Sequence, residues 1–433
     1  MGRSLVQRIE ATEASERAVS NIIRKASQRA LQSTARQQND RDRQMNVLVV
    51  DAGESFPLEL SNSTGMFGKQ FALSLSEAGA NVSVCALWLA SGSLWARALL
   101  DHRRRLGYHS WQESSVRYNY LGMLGCPLSH RWRINQTYTA VSNLLDTCIR
   151  RCGTPDVANI HWGLSATNQC AMMHLKNLGI PYVLSEHSSR FLTTPPGFSQ
   201  FEQSCYVEAA RSASANTAVS SILSQRLSQL TGCTTFIVPN PLNPCFTNLP
   251  RPRNLEAPLR LITVGTGDIK RLDRIAAALL EVKETLPAIQ LTVIGRPSKK
   301  VSSYLQALVK SNVDVQHFDS MTSGDLATQF QNADAYICSS DHETFGSAPL
   351  EALACGTPVI TTTCGGPEDF VTANTGLLCD RNPQSLAQCI YRFSTQKEYW
   401  FAKRNELANS VQTAYSRASV GHRLQELLER SLS

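Results

Sequence analysis

At 433 residues the chain exceeds one ordinary domain and is long enough for two or three, each with its own core. Apolar residues make up 42% and charged residues 18%, and no apolar run reaches the roughly 20 residues of a spanning helix, so a membrane-crossing helix is not expected. The net charge of +7 lies wholly in the first 200 residues, without a recognition motif or aromatic–basic interleaving, so nucleic acid is not an expected partner.

Residues 1–44 are rich in Ala, Ser, Gln and Arg, and residues 1–45 hold nine Lys and Arg against five Asp and Glu. A thin apolar stripe (Leu5, Ile9, Val19, Ile22, Ile23) is too weak to need a core, and there is no apolar h-region of a secretory signal. This segment is read as a basic N-terminal extension, with a membrane-docking helix as its alternative.

From Met45 the pattern changes. "MNVLVVDA" reads as a buried strand, "GMFGKQFALSLSEAGA" as a glycine-punctuated loop entering a helix, and "NVSVCAL" as a second strand. The alternation continues through "DVANIHW", "PYVLSEH" and "TTFIVPN", giving one α/β domain over residues 45–245. A proline-rich linker follows at 246–258. Strand and helix patterns then alternate again from "LRLITVGTG" to "PQSLAQCIYRF", which defines a second domain over 259–408. Residues 409–433 are read as a C-terminal helix packing back on the first domain. In doubly wound sheets ligands sit beyond the strand carboxyl ends, so two facing domains share one cleft. The thirteen cysteines contain no C-x-x-C pair; reduced thiols in a cytosol fit better than disulfides or a zinc site, and no metal or cofactor is expected.

The chemistry concentrates at 341–360, "DHETFGSAPLEALACGTPVI". Ser347 or Ala348 is read as the cap of a helix, with Pro349 in its first turn and Gly356 as its C-terminal glycine. The free N–H groups around Ser347–Leu350 and the helix dipole suit a phosphate. Glu343 in the preceding loop and Glu351, an exposed first-turn acid, suit sugar hydroxyls instead, since carboxylates repel phosphate. Taken alone, the spacing is explained equally by a dipole-complementing Glu351 and a solvated Glu343.

This stretch, followed by "GGPEDFV" and "NTGLL", resembles the E-x7-E region of the retaining family-4 glycosyltransferases, and the resemblance extends over most of the chain from Met45. It implies the GT-B fold, two doubly wound Rossmann-like α/β domains facing across a cleft. It implies that Glu351 holds ribose hydroxyls of a UDP- or GDP-sugar donor and Glu343 the transferred sugar. It further implies that Phe345, Gly346 and Ser347 line the sugar and diphosphate, with Pro349 and Leu350 beside them. Lys270 stands where the family neutralises the diphosphate. An arginine common four residues earlier is replaced by Thr266, so Arg271 or another cation is expected to assist. His187 in "SEHSSRF" resembles the family's active-site histidine, whereas His161 is read as structural. Gly65 and Gly68 in "STGMFGKQFA" are candidates for the glycine loop near the diphosphate, although a plain tight turn explains them as well.

The resulting expectation is a retaining glycosyltransferase acting on a glycan or lipid-linked acceptor, in cell-surface polysaccharide or glycolipid biosynthesis. It would be cytoplasmic, with peripheral contact at the anionic inner face of the plasma membrane. Arg103–Arg105 are candidates for that contact, or for a solvated loop. The alternatives are a sugar-nucleotide epimerase of related fold, a phosphorylase, and an inactive sugar-binding subunit.

Overall fold

The computed structural model describes residues 44–51, 67–90, 106–124, 130–248, 258–286 and 288–432. Nearly all of the N-terminal extension, Gly65, Arg103–Arg105 and most of the linker lie outside them.

The first lobe is an eight-stranded sheet of order β3-β4-β2-β1-β5-β6-β7-β8. Its strands are β1 (Asn46–Asp51), β2 (Asn81–Ala90), β3 (Gly107–Glu113), β4 (Val116–Leu124), β5 (Val157–His161), β6 (Tyr182–Glu186), β7 (Ala215–Ala218) and β8 (Thr235–Ile237). Between them run α1 (Phe67–Glu77), α2 (His130–Cys152), α3 (Ala166–Asn177), α4 (Gln200–Ser212) and α5 (Ser221–Thr231). The central strands β5 and β6 are buried at every position, the signature of parallel strands covered on both faces. The edge of the sheet is different. There β3 pairs antiparallel with β4 through a turn at Ser114, which has φ +55°, and most of β3 remains open to solvent. A solvated edge strand carries no apolar run, which is why its pattern is silent in the sequence.

The second lobe is a six-stranded, all-parallel sheet of order β11-β10-β9-β12-β13-β14. Its strands are β9 (Leu259–Val264), β10 (Ile289–Ile294), β11 (Asp314–Phe318), β12 (Ala335–Cys338), β13 (Val359–Thr362) and β14 (Gly376–Cys379). The helices are α6 (Leu272–Val282), α7 (Lys299–Lys310), α8 (Ser323–Asn332), α9 (Ser347–Ala354) and α10 (Pro383–Thr395). Three more follow, α11 (Lys397–Ala402), α12 (Arg404–Tyr415) and α13 (Arg417–Arg430). Ser and Thr side chains cap several of these starts: Ser220, Ser298 and Thr322 each accept the N–H three residues on.

The chain returns to the first lobe at its end. α13 lies on α1, with Arg417 Nε donating to Gln70 Oε1 at 2.9 Å and its guanidinium reaching Glu77 at 3.2 Å. Gly421 sits so close to the Ser74 carbonyl that no Cβ fits there. Leu242, Phe246, Phe330 and Leu407 belong to one buried apolar cluster, so the core is continuous from lobe to lobe. Both sheets therefore present their strand carboxyl ends to a common cleft, the arrangement of the GT-B fold.

Candidate active site

The cleft holds a cavity of about 610 Å³. From the second lobe it is lined by the loops that follow β9 and β12. Gly265 ends β9 at φ +94°, and a Cβ there would meet Lys270 Cε at 2.9 Å, so glycine lets the lysine stem lie across the strand end. Ser339 Oγ donates to the carbonyls of Lys270 and Arg271 at 2.6 and 2.9 Å, and the Asp341 N–H donates to the Ile269 carbonyl at 2.9 Å. The two loops are thus stitched together, which brings Lys270 Nζ to 2.5 Å from Glu343 Oε1. Ser340 Oγ donates to the same oxygen at 2.7 Å. Burial works to lower the Lys270 pKa, but the Glu343 charge outweighs it and the pKa rises, so the ammonium is kept.

Glu343 is fixed through its backbone as well. Its N–H donates to the Cys364 carbonyl and its carbonyl accepts the Gly366 N–H, both at 2.8 Å. A side chain at Gly366 would run into the backbone of Thr344 and Phe345, so this glycine permits the close approach of the two loops. Gly346 follows at φ +89°, where a Cβ would meet Pro367 Cγ at 2.7 Å, and helix α9 begins at Ser347 without a side-chain cap. First-turn N–H groups of a helix have no intrahelical acceptor, and Ser347 and Ala348 line the cavity.

Glu351 also lines the cavity, but it is half-buried rather than exposed as the sequence suggested. Burial pushes its carboxyl up to about 8, and among the described residues no cation pairs with it. The reason is packing: Glu351 lies one turn inside α9, and its charge contributes to raising the thiols of Cys245 and Cys355.

The first lobe contributes the ends of β5 and β6. His161 Nδ1 lies 2.8 Å from His187 Nε2, and the Phe71 ring packs on both imidazoles, with centroids at 4.9 and 5.7 Å. Burial pushes His187 down to about 3 and holds His161 well below the usual imidazole range, so the pair is neutral. The Asn240 side chain, which also lines the cavity, works to raise the His187 pKa but does not outweigh burial. Beneath them Glu186 is fully buried and accepts the N–H groups of Gly163, His187 and Ser188 at 3.0, 2.9 and 2.8 Å. Burial raises its carboxyl to about 7 against the pull of those three bonds. Glu186 is therefore what holds the His187–Ser189 turn at the cavity wall.

The structure brings Lys270, Glu343, Phe345, Gly346, Ser347, Leu350, Glu351 and His187 to one cavity. Three expected residues are elsewhere. Arg271 adopts φ +50°, which turns its guanidinium away to Asp273 at 2.8 Å and Asp341 at 3.1 Å, so it is a strut of the loop rather than a second cation in the cleft. Pro349 is buried inside the first turn of α9, and Gly68 is buried against the Asp51 carboxylate. Thr266 is buried, and its hydroxyl donates to the Arg296 carbonyl at 2.5 Å. Gln70, Trp162, Asn240, Gly265 and Ser323 line the cavity without having been singled out. Only Gly265, in "VGTG", carried a signal of its own. Among the described residues no three His, Cys, Asp or Glu side chains gather as a metal site, and no helix is long and apolar enough to cross a membrane.

Two α/β sheets, parallel except at the β3 edge and facing across a lined cleft, define a GT-B fold, and comparison with solved structures agrees. Sucrose-phosphate synthase from Thermosynechococcus elongatus superposes with a TM-score of 0.70 at 16% identity, over 89% of this chain and 99% of that one. HepE of Anabaena, solved with UDP, gives 0.63 at 16% identity, over 89% and 100%. At the level of sequence, residues 249–413 match the family model of Glycosyl transferases group 1. D-inositol 3-phosphate glycosyltransferase of Arthrobacter sp. (strain FB24) is 37% identical over 109 residues, which are 24% of this chain and 26% of that protein. The chain thus spans about a quarter of the length of the curated relatives it matches first.

Proposed function

We propose that the protein transfers a sugar from a UDP- or GDP-sugar to a hydroxyl of a glycan or lipid-linked acceptor, with retention of anomeric configuration. Cell-surface polysaccharide or glycolipid synthesis is the role we assign it. The observation that carries the reading is the Lys270–Glu343 pair, 2.5 Å apart, standing beside the uncapped start of α9 in the interlobe cavity. One fixed cation and a set of free N–H groups suit a departing diphosphate, and Glu343 and Glu351 suit the hydroxyls on either side of it. The family match of residues 249–413 and the glycosyltransferase names of the relatives support transfer over an epimerase or an inactive sugar-binding subunit.

In this reading Glu351 accepts hydrogen bonds from the ribose. Glu343 has Oε1 occupied by Lys270 and Ser340, which leaves Oε2 for a hydroxyl of the transferred sugar. Neutral His187, held by His161, forms the first-lobe wall of the sugar pocket. Among the described residues that line the cavity the carboxylates are Glu343 and Glu351, and neither is assigned as an inverting base. The acceptor oxygen attacks the anomeric carbon on the face from which the diphosphate departs, and a leaving phosphate oxygen takes the acceptor's proton. An NMR assay of the product anomer, run with and without EDTA, tests this. Retention and full activity in chelator are expected; inversion, or abolition by chelator alone, overturns it.

A further inference from the structure

At the opposite end of the first sheet, where β1, β2 and β4 begin, lies a second cavity of about 250 Å³, lined by Asn46, Asn81, Arg117 and Cys152 among others. It has no part in the reaction above. Cys152 is the last residue of α2, half-buried, and Cys148, one turn earlier, is fully buried with its Sγ 4.0 Å from Cys152 Sγ. Two polar side chains are aimed at these sulfurs. Asn119, itself 1% exposed, sends its amide Nδ2 to within 3.3 Å of Cys148 Sγ and 3.7 Å of Cys152 Sγ. Its orientation is set by chemistry: Arg151 donates to the Tyr108 hydroxyl, which in turn donates to Asn119 Oδ1 at 2.6 Å, so the NH₂ must face the sulfurs. Arg117 Nη1 lies 4.0 Å from Cys152 Sγ and also donates to the Arg151 carbonyl at 3.1 Å. A helix C-terminus disfavours a thiolate, and this guanidinium offsets that disadvantage by occupying the end of the helix.

We propose that Cys152 and Cys148 form a peroxide-reactive dithiol, with Cys152 as the attacking sulfur and Cys148 as the resolving one. Position fixes the division of roles: Cys152 lines the cavity, whereas Cys148 is fully buried and does not, and the S–H of Cys148 donated to Cys152, with Asn119 and Arg117 nearby, favours the thiolate on Cys152. In the first step the Cys152 thiolate attacks hydrogen peroxide: an S–O bond forms, the O–O bond breaks and hydroxide leaves, so that sulfur loses two electrons to the peroxide. In the second step Cys148 sulfur attacks Cys152 sulfur and its proton joins the departing hydroxide as water, which leaves a disulfide. Residues four apart on a helix have Cα atoms about 6 Å apart, inside the disulfide range of about 4.4–6.8 Å. Closing the sulfurs to about 2.05 Å falls on the terminal residue of α2, beside Gly153 at φ +90°, where the helix has already ended.

The test uses the full chain, treated with near-stoichiometric hydrogen peroxide, blocked with N-ethylmaleimide and mapped by mass spectrometry. A Cys148–Cys152 peptide lighter by two hydrogens is expected while Cys245, an exposed thiol, is still alkylated. Cys148→Ser should arrest at a sulfenic acid on Cys152 that dimedone labels, and Cys152→Ser should leave Cys148 unlabelled. Oxidation of Cys152 no faster than that of Cys245, or a disulfide from Cys152 to Cys85, overturns the proposal. Neither readout involves a sugar donor, so the outcome is independent of the transfer reaction.

Discussion

Glu351 carries the clearest consequences of a single side chain. Glu351→Ala removes about two ribose hydrogen bonds, so donor KM should rise roughly ten- to hundred-fold. Steady-state kinetics with varied donor decides it, and an unchanged KM in an active variant ends the ribose assignment. Burial adds a pH signature. With the folded carboxyl near 8 and the unfolded one near 4.5, the native state holds the proton longer. That contribution is fully present below pH 4.5 and is lost as pH rises through about 8, where the folded protein must carry the charge. Glu351→Gln should therefore melt higher than the parent at pH 8.5 and about equal to it at pH 4.5, by a margin reduced because the side chain keeps an edge on the cavity. Equal melting temperatures at both pH values would exclude the burial effect. Glu343 is a positioning group in the proposed reaction, so Glu343→Gln should retain some activity. Intact-mass measurement on that variant with donor should show no covalent sugar adduct.

Elements act through close approaches that only glycine allows. α13 seats on α1 because Gly421 has no side chain facing the Ser74 carbonyl. Gly421→Val must drive the two helices apart, and an overpacking cost of about 1–3 kcal/mol predicts a lower melting temperature. No change in thermal melting would mean that the C-terminal helix is not held there. The same logic places Gly366 under Glu343: Gly366→Ala should shift the loop and weaken donor binding, measured by titration with the nucleoside diphosphate, while Gly79→Ala, strained at φ +104° but outside the cavity, should lower the melting temperature without weakening donor binding.

For the whole molecule the two lobes behave as a cleft already joined by a shared core and by Ser221, whose N–H donates to Asp369 Oδ2 across the lobes at 2.8 Å. A nucleoside diphosphate that binds this native cleft should raise the melting temperature. At about one hundred times Kd the stabilisation is about 2.7 kcal/mol. Deleting residues 1–44 should leave soluble activity intact, checked by assay of the truncated protein, since β1 starts at Asn46. Failure of that protein to fold would put part of the segment into the first domain.

Much of this was legible before any fold was known. Strand runs such as "NVLVVD" and "LRLITV" announce parallel sheets because buried strands are apolar throughout, and the Gly346–Gly356 frame of α9 is written in residues with special backbone freedom. The solvated strand β3 was not legible, because an edge needs no apolar pattern. Nor were distances between loops: that Lys270 meets Glu343 while its neighbour Arg271 turns to Asp341 depends on a φ of +50° and on hydrogen bonds linking residues about seventy apart. Glu351 looks like an exposed acid in any window of sequence. Its burial comes from what α9 packs against, and packing is decided by tertiary structure because it sums contacts from chain segments that no local pattern brings together.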